Sequence, residues 1–225
     1  MSVVTVASLI DQAKQKADME NRNFVKPAEW IQYINDGYKE LYDILVSKFE
    51  DYYTLGPVPF TIANGATTYD LPSDFYKLRG VDRSNGGSNF IPLLPFNFND
   101  RNRRTFYRRW GGIEPTVRYR IFNNKLIFNP SDQAPGQYQL WYIPQAADIT
   151  TDTQTIEGVN GWEEYIVFSA AIDALAKEES DVSVYEMAKN QMLQRIQALA
   201  ANRDAGQVDT VGDVTRAGYY DDLLY

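Results

Sequence analysis

A chain of 225 residues, 44% hydrophobic and 14% aromatic, is long enough to bury a real core as one large domain or two small ones. Its net charge of −8 sets the protein as a whole against nucleic acid and anionic membranes. It has no cysteine and no histidine, which excludes disulfides, thiolate chemistry and histidine triads and makes zinc sites improbable.

No apolar run approaches the ~20 residues of a spanning helix. The start, MSVVTVASLIDQAKQK, lacks a signal-peptide pattern. A soluble protein made in the cytoplasm, without membrane contact or cofactor, is expected. The 16 tyrosines supply side chains suited to interfaces.

In chain order, Thr5 is placed to cap a helix over 6–19, with Val6, Leu9, Ile10, Ala13 and Ala17 facing inward. Asn21, Arg22 and Asn23 break it, and Pro27 sits at the first turn of a second helix reaching 49. That helix carries Trp30, Ile31, Ile34, Leu41, Leu45 and Phe49 on one face. Gly37 in its middle costs ~1 kcal/mol against Ala, which points to a close helix crossing. Asp36, Glu40 and Asp43 read as a solvated acidic face.

After Asp51 the period changes from helical to alternating. Phe60 and Ile62, the turn Asn64-Gly65, and Thr68, Tyr69 and Leu71 form a hairpin signal. A strand over 76–81 and the loop Asn85-Gly86-Gly87-Ser88 follow, then a proline-containing apolar run over 91–98 expected to pack without regular structure. Val117, Tyr119 and Ile121 alternate with Arg118 and Arg120, and Asn123-Asn124 turns the chain into Leu126 and Phe128. Tyr138, Leu140 and Tyr142 make the last clear strand.

Two further helices are expected over 160–202, separated by Glu179-Ser180-Asp181. Asn160 would cap the first, with Glu163 completing a capping box. Tyr185, Ala188, Met192, Ile196 and Leu199 form the stripe of the second. Neither stripe can be buried alone, so the two ends of the chain must meet. The expectation is an α+β protein: a helical bundle from both chain ends (1–51 and 151–205), an inserted antiparallel β-sheet or barrel (52–150), and an extended tail (206–225).

Two segments stand out for charge. From Asp100 to Trp110 the chain has five arginines (Arg101, Arg103, Arg104, Arg108 and Arg109) and one Asp, a local +4, interleaved with Phe106, Tyr107 and Trp110. Arginine interleaved with aromatics can stack on bases and clamp phosphates, or can pair with acidic neighbours on this or another subunit. The segment 204–225 carries five Asp and one Arg, yet ends in Tyr219, Tyr220, Leu223, Leu224 and Tyr225. Glycines at 206, 212 and 218 oppose helix there, and a docking strap is the reading adopted. No acidic pair suggests catalysis: Glu163-Glu164 and Glu178-Glu179 diverge by about 100° around a helix.

The segments ADMENRNFVKPAEWIQYINDGYKELYDILV, TTYDLPSDFYKLRGVD, GQYQLWYIP and GWEEYIVFSAAIDALAKEESDVSVY, then a long helix and NRDAG, run in order over about 5–206. Together they resemble the head–tail adaptor (connector, or neck) proteins of tailed bacteriophages, the short-tailed kind especially. The resemblance implies a virion protein at the head–tail junction: a twelve-membered ring beneath the portal that continues the DNA channel and seats the tail. It implies portal, tail nozzle or tube protein, and further copies of the chain as partners, with DNA passing without sequence-specific binding. The C-terminal segment would reach the portal. The large β insertion departs from the helical short adaptors. The alternatives are a tail-associated cell-wall hydrolase and a DNA-binding protein using the arginine cluster.

Overall fold

The computed structural model describes residues 2–103, 106–109, 112–159 and 161–200; residues 2, 106–109 and 112–115 are described by backbone alone. The chain is α+β, as expected. In order it forms β1 (Ser2–Thr5), α1 (Val6–Lys16), α2 (Pro27–Lys48), α3 (Glu50–Tyr53), β2 (Leu55–Ile62), β3 (Thr68–Asp70), β4 (Phe75–Ser84) and β5 (Phe90–Pro92). There follow β6 (Phe106–Arg109), β7 (Gly112–Pro115), β8 (Arg118–Phe122), β9 (Lys125–Asn129), β10 (Gly136–Pro144), β11 (Thr155–Gly158), α4 (Glu164–Lys177) and α5 (Ser183–Ala200).

The helical core is centred on α4. Nine of its side chains, from Tyr165 to Leu175, are buried, because α1, α2 and α5 all pack against it. A helix apolar nearly all round belongs in the middle of a bundle. Trp30, Ile34 and Leu41 of α2 and Met192 and Ile196 of α5 complete this core. Gly37 marks the α2–α4 crossing: a Cβ there would stand 3.0 Å from the Ser169 Cβ and 3.4 Å from the Ile166 Cα.

The chain ends meet, by a device the sequence reading missed. β1 pairs antiparallel with β11, Val3 opposite Glu157 and Thr5 opposite Thr155. Thr5 then ends the strand and caps α1, its Oγ1 accepting from the Ser8 N–H at 3.3 Å. Strand β10 is therefore not the last.

Helix limits differ from expectation at four places. α1 stops at Lys16 because Asp18 is left-handed (φ 55°), although Met19 still buries its side chain. Phe49 falls outside α2, as its C-cap with non-helical backbone (φ −145°, ψ 68°), and stacks on Tyr52. Glu163, not Asn160, is the N-cap of α4, with no side-chain cap, while Asn160 lies outside the described residues. In α5 the inward position is Ala200 instead of Leu199, which is exposed, since the stripe advances by four after Ile196. The hinge at 179–181 is as expected, with Glu179 left-handed and Asp181 accepting from the Ser183 N–H.

The β part contains two larger antiparallel sheets, ordered β2-β10-β4-β5 and β3-β9-β8, which share one core, and the two-stranded hairpin β6-β7. Phe60, Val81, Tyr138 and Leu140 from one meet Tyr119, Leu126 and Phe128 from the other. The expected hairpin over 60–71 does not form. The turn at Gly65 is there, but β2 pairs with β10 and β3 with β9, so the chain crosses between sheets instead of folding back. Asn123 and Asn124, both at positive φ, do close the β8–β9 hairpin.

The 91–98 run also departs from expectation. Residues 90–92 form β5, and only Phe96 is buried, while Ile91, Leu94 and Phe98 are 45–62% exposed.

Candidate functional site

The helices join the sheets through polar and aromatic contacts. Tyr42 of α2 donates its hydroxyl to the Pro144 carbonyl at 2.7 Å, and its ring lies 5.2 Å from Tyr53 and 6.4 Å from Tyr76. Burial, reinforced by Tyr38, Tyr53, Tyr76 and Asp43, pushes the Tyr42 phenol up to about 12. Glu50 and Asp51 of α3 pair with Lys77 and Arg79 of β4. Beside this joint a cleft of ≈ 280 Å³ opens between α2, the strand-exit segment after Pro144, and β11. Tyr38, Tyr42, Tyr53, Trp162, Glu157 and Glu163 line it. Glu163 Oε2 is shut off from solvent without a hydrogen-bond partner.

The acids on α2 do more than face solvent. Asp36 is exposed, but Glu40 accepts from the Tyr165 hydroxyl and from Lys189 Nζ, both at 2.7 Å. Lys189 also donates to Ser169 Oγ at 3.1 Å. Asp43 accepts from the Tyr76 hydroxyl, and this hydrogen bond, more than burial, raises the Tyr76 pKa. The acidic spacing is visible in the sequence, but Tyr165 and Lys189, more than a hundred residues from Glu40, are not.

At the other end of the sheets lies the basic segment. Arg101 lies 4.8 Å over the Phe98 ring and donates to the Phe98 carbonyl at 3.3 Å. Arg103 makes a long 3.9 Å ion pair with Asp100, and its side chain is 78% exposed. Together with Phe96, Asp100, Arg118 and Asn129 it lines a notch of ≈ 200 Å³, in which Arg118 Nε is buried without a partner. Arg108 and Arg109 lie on β6, whose hairpin with β7 was not foreseen; their side chains are outside the described residues, as are Arg104 and Trp110. The strap residues Tyr219, Tyr220, Leu223, Leu224 and Tyr225 lie outside them too.

No metal-binding group of three or more acidic residues occurs among the described residues. The adjacent acids part company as expected: Glu164 pairs with Lys16 at 3.1 Å, while Glu163 faces the cleft. Glu178 pairs with Arg22.

A family model described as SU10 adaptor protein matches residues 4–215. The chain belongs to the SU10 adaptor protein family. This is a family of phage head–tail adaptors, so the protein is a structural adaptor of the virion that works in contact with other phage head and tail proteins. No curated protein sequence matches it significantly. No helix among the adaptor's described residues is long and apolar enough to cross a membrane.

Proposed function

We propose that the adaptor closes into a ring of twelve beneath the portal, continues the DNA channel, and seats the tail nozzle or tube. The observation that carries this reading is the family match over 4–215, nearly the whole chain. The net charge of −8 suits a passage through which DNA slides without sticking. The division adopted is a helical body (1–51 with 151–205), a β insertion (52–150) and a strap (206–225).

In this reading Tyr219, Tyr220, Leu223, Leu224 and Tyr225 dock on the portal or a neighbouring subunit. Each contributes on the order of 1–3 kcal/mol if buried, against ~1–2 kcal/mol per ordered backbone residue. Repetition around a ring turns such a marginal contact into a stable joint. Arg101, Arg103, Arg104, Arg108 and Arg109 face a neighbouring subunit, the tail or the channel. No catalytic step is assigned, since neither His nor Cys is present and no acid pair converges.

Deleting 207–225 tests the strap. The truncated adaptor should keep its circular dichroism and melting temperature but fail to bind purified portal. Full occupancy beneath the portal after truncation would refute the docking role.

A further inference from the structure

We propose that the Tyr38–Tyr42–Trp162 cleft is a receptor for an arginine side chain, Arg103, of a second copy of this chain. The inference deepens the ring reading and rests on it. At ≈ 280 Å³ the cleft has room for one long side chain and little more. Its walls are what a guanidinium prefers: the rings of Tyr38, Tyr42, Tyr53 and Trp162, and the carboxylates of Glu157 and Glu163. Glu163 Oε2 is buried with no hydrogen-bond partner, and Glu157 forms no ion pair among the described residues. A buried carboxylate oxygen left unpaired is unfavourable, and a cation entering the cleft would complete it.

The complement is on the same chain but out of its own reach. Arg103 is 78% exposed, is held among the described residues by one 3.9 Å contact to Asp100, and shares its notch with the orphaned Nε of Arg118. The Arg103 carbonyl accepts from Asn129 Nδ2 at 3.0 Å, next to Phe128, whose ring meets Tyr138 near the start of β10. The cleft adjoins Pro144, at the end of that strand. Six residues of strand separate the two levels by about 20 Å. A cation site and an anion site separated in this way along one subunit can satisfy each other only between copies, in the head-to-tail contact that closes a ring.

The chain has no cysteine, so single cysteines report the contact directly. Asn102→Cys and Gln145→Cys proteins, mixed and treated with a short bis-maleimide, should give a crosslinked dimer. Glu163→Lys or Arg103→Glu should weaken self-association at least about tenfold, and the two reversals in one chain should restore it. Circular dichroism of each variant confirms that it is folded. Rings that form without the Asn102–Gln145 crosslink and ignore the reversals would overturn this contact while leaving the ring intact. A wild-type chain that does not self-associate, with portal or without, would remove both.

Discussion

The Tyr165 hydroxyl of α4 donates to Glu40 Oε1 of α2 at 2.7 Å, across 125 residues of sequence. The other Glu40 oxygen accepts from Lys189 of α5, so one carboxylate ties three helices at a single level. Tyr165 is 1% exposed, and burial raises its pKa strongly, with the Glu40 hydrogen bond adding to it. Glu40→Ala leaves this buried hydroxyl without its acceptor and should cost about 1–3 kcal/mol. Glu40→Gln keeps an acceptor and loses only a half-exposed ion pair, so its loss should stay below about 1 kcal/mol. Urea midpoints of the two variants, with unchanged slopes, check the ordering.

Gly37 should resist enlargement. Alanine gains about 1 kcal/mol of helix propensity but puts its Cβ 3.0 Å from that of Ser169, on a packed helix whose backbone is also within 3.4 Å. Overpacking of this kind costs about 1–3 kcal/mol, so Gly37→Ala should be neutral to mildly destabilising. Gly37→Val, which adds two methyls at the same crossing, should lower the melting temperature clearly. A valine variant as stable as the parent would mean that α2 and α4 do not cross here.

Tyr42 predicts alkaline sensitivity. Its folded pKa is raised from 10.0 to about 12 by burial and neighbouring tyrosines. A raised pKa gives stability that is fully present below pH 10 and lost as pH rises towards 12, because the unfolded chain ionises first. Tyr42→Phe keeps the ring contacts and removes the donor to Pro144. It should lose about 1 kcal/mol at neutral pH and show a shallower decline above pH 10. Chemical denaturation at pH 7, 10 and 11.5 reads both effects.

Replacing Arg103, Arg104, Arg108 and Arg109 with Ser should leave the subunit folded, as Arg103 is largely exposed and makes one long ion pair. Assembled particles should nonetheless lose tail attachment or retained DNA. Particles of normal infectivity would remove this segment from the interface.

The helical half was legible because its signals are local: the Thr5 cap, Pro27 at N1, and the stripes of α1 and α2 lie within a few turns of one another. Even a close helix crossing at Gly37 could be inferred, since a mid-helix glycine needs a reason, although not that α4 is the partner. What escaped depends on distant partners. The four residues of β1 have no alternation of their own and become a strand only against β11, 150 or more residues on. The pieces at 55–62 and 68–70 carry a turn between them, but each finds a better partner in β10 or β9. The same limit governed the sites. Glu40 looked solvated until α4 and α5 were folded onto it, and the cleft draws its walls from α2, α3, β11 and Glu163. The arginine cluster, by contrast, was visible at once, being contiguous.

Mass photometry of the purified adaptor, alone and with purified portal, tests the central claim most directly. A species twelve times the subunit mass should form, or be sharply favoured, when portal is present, and should be weakened by removal of 207–225. A protein that stays monomeric beside portal at every concentration would contradict it.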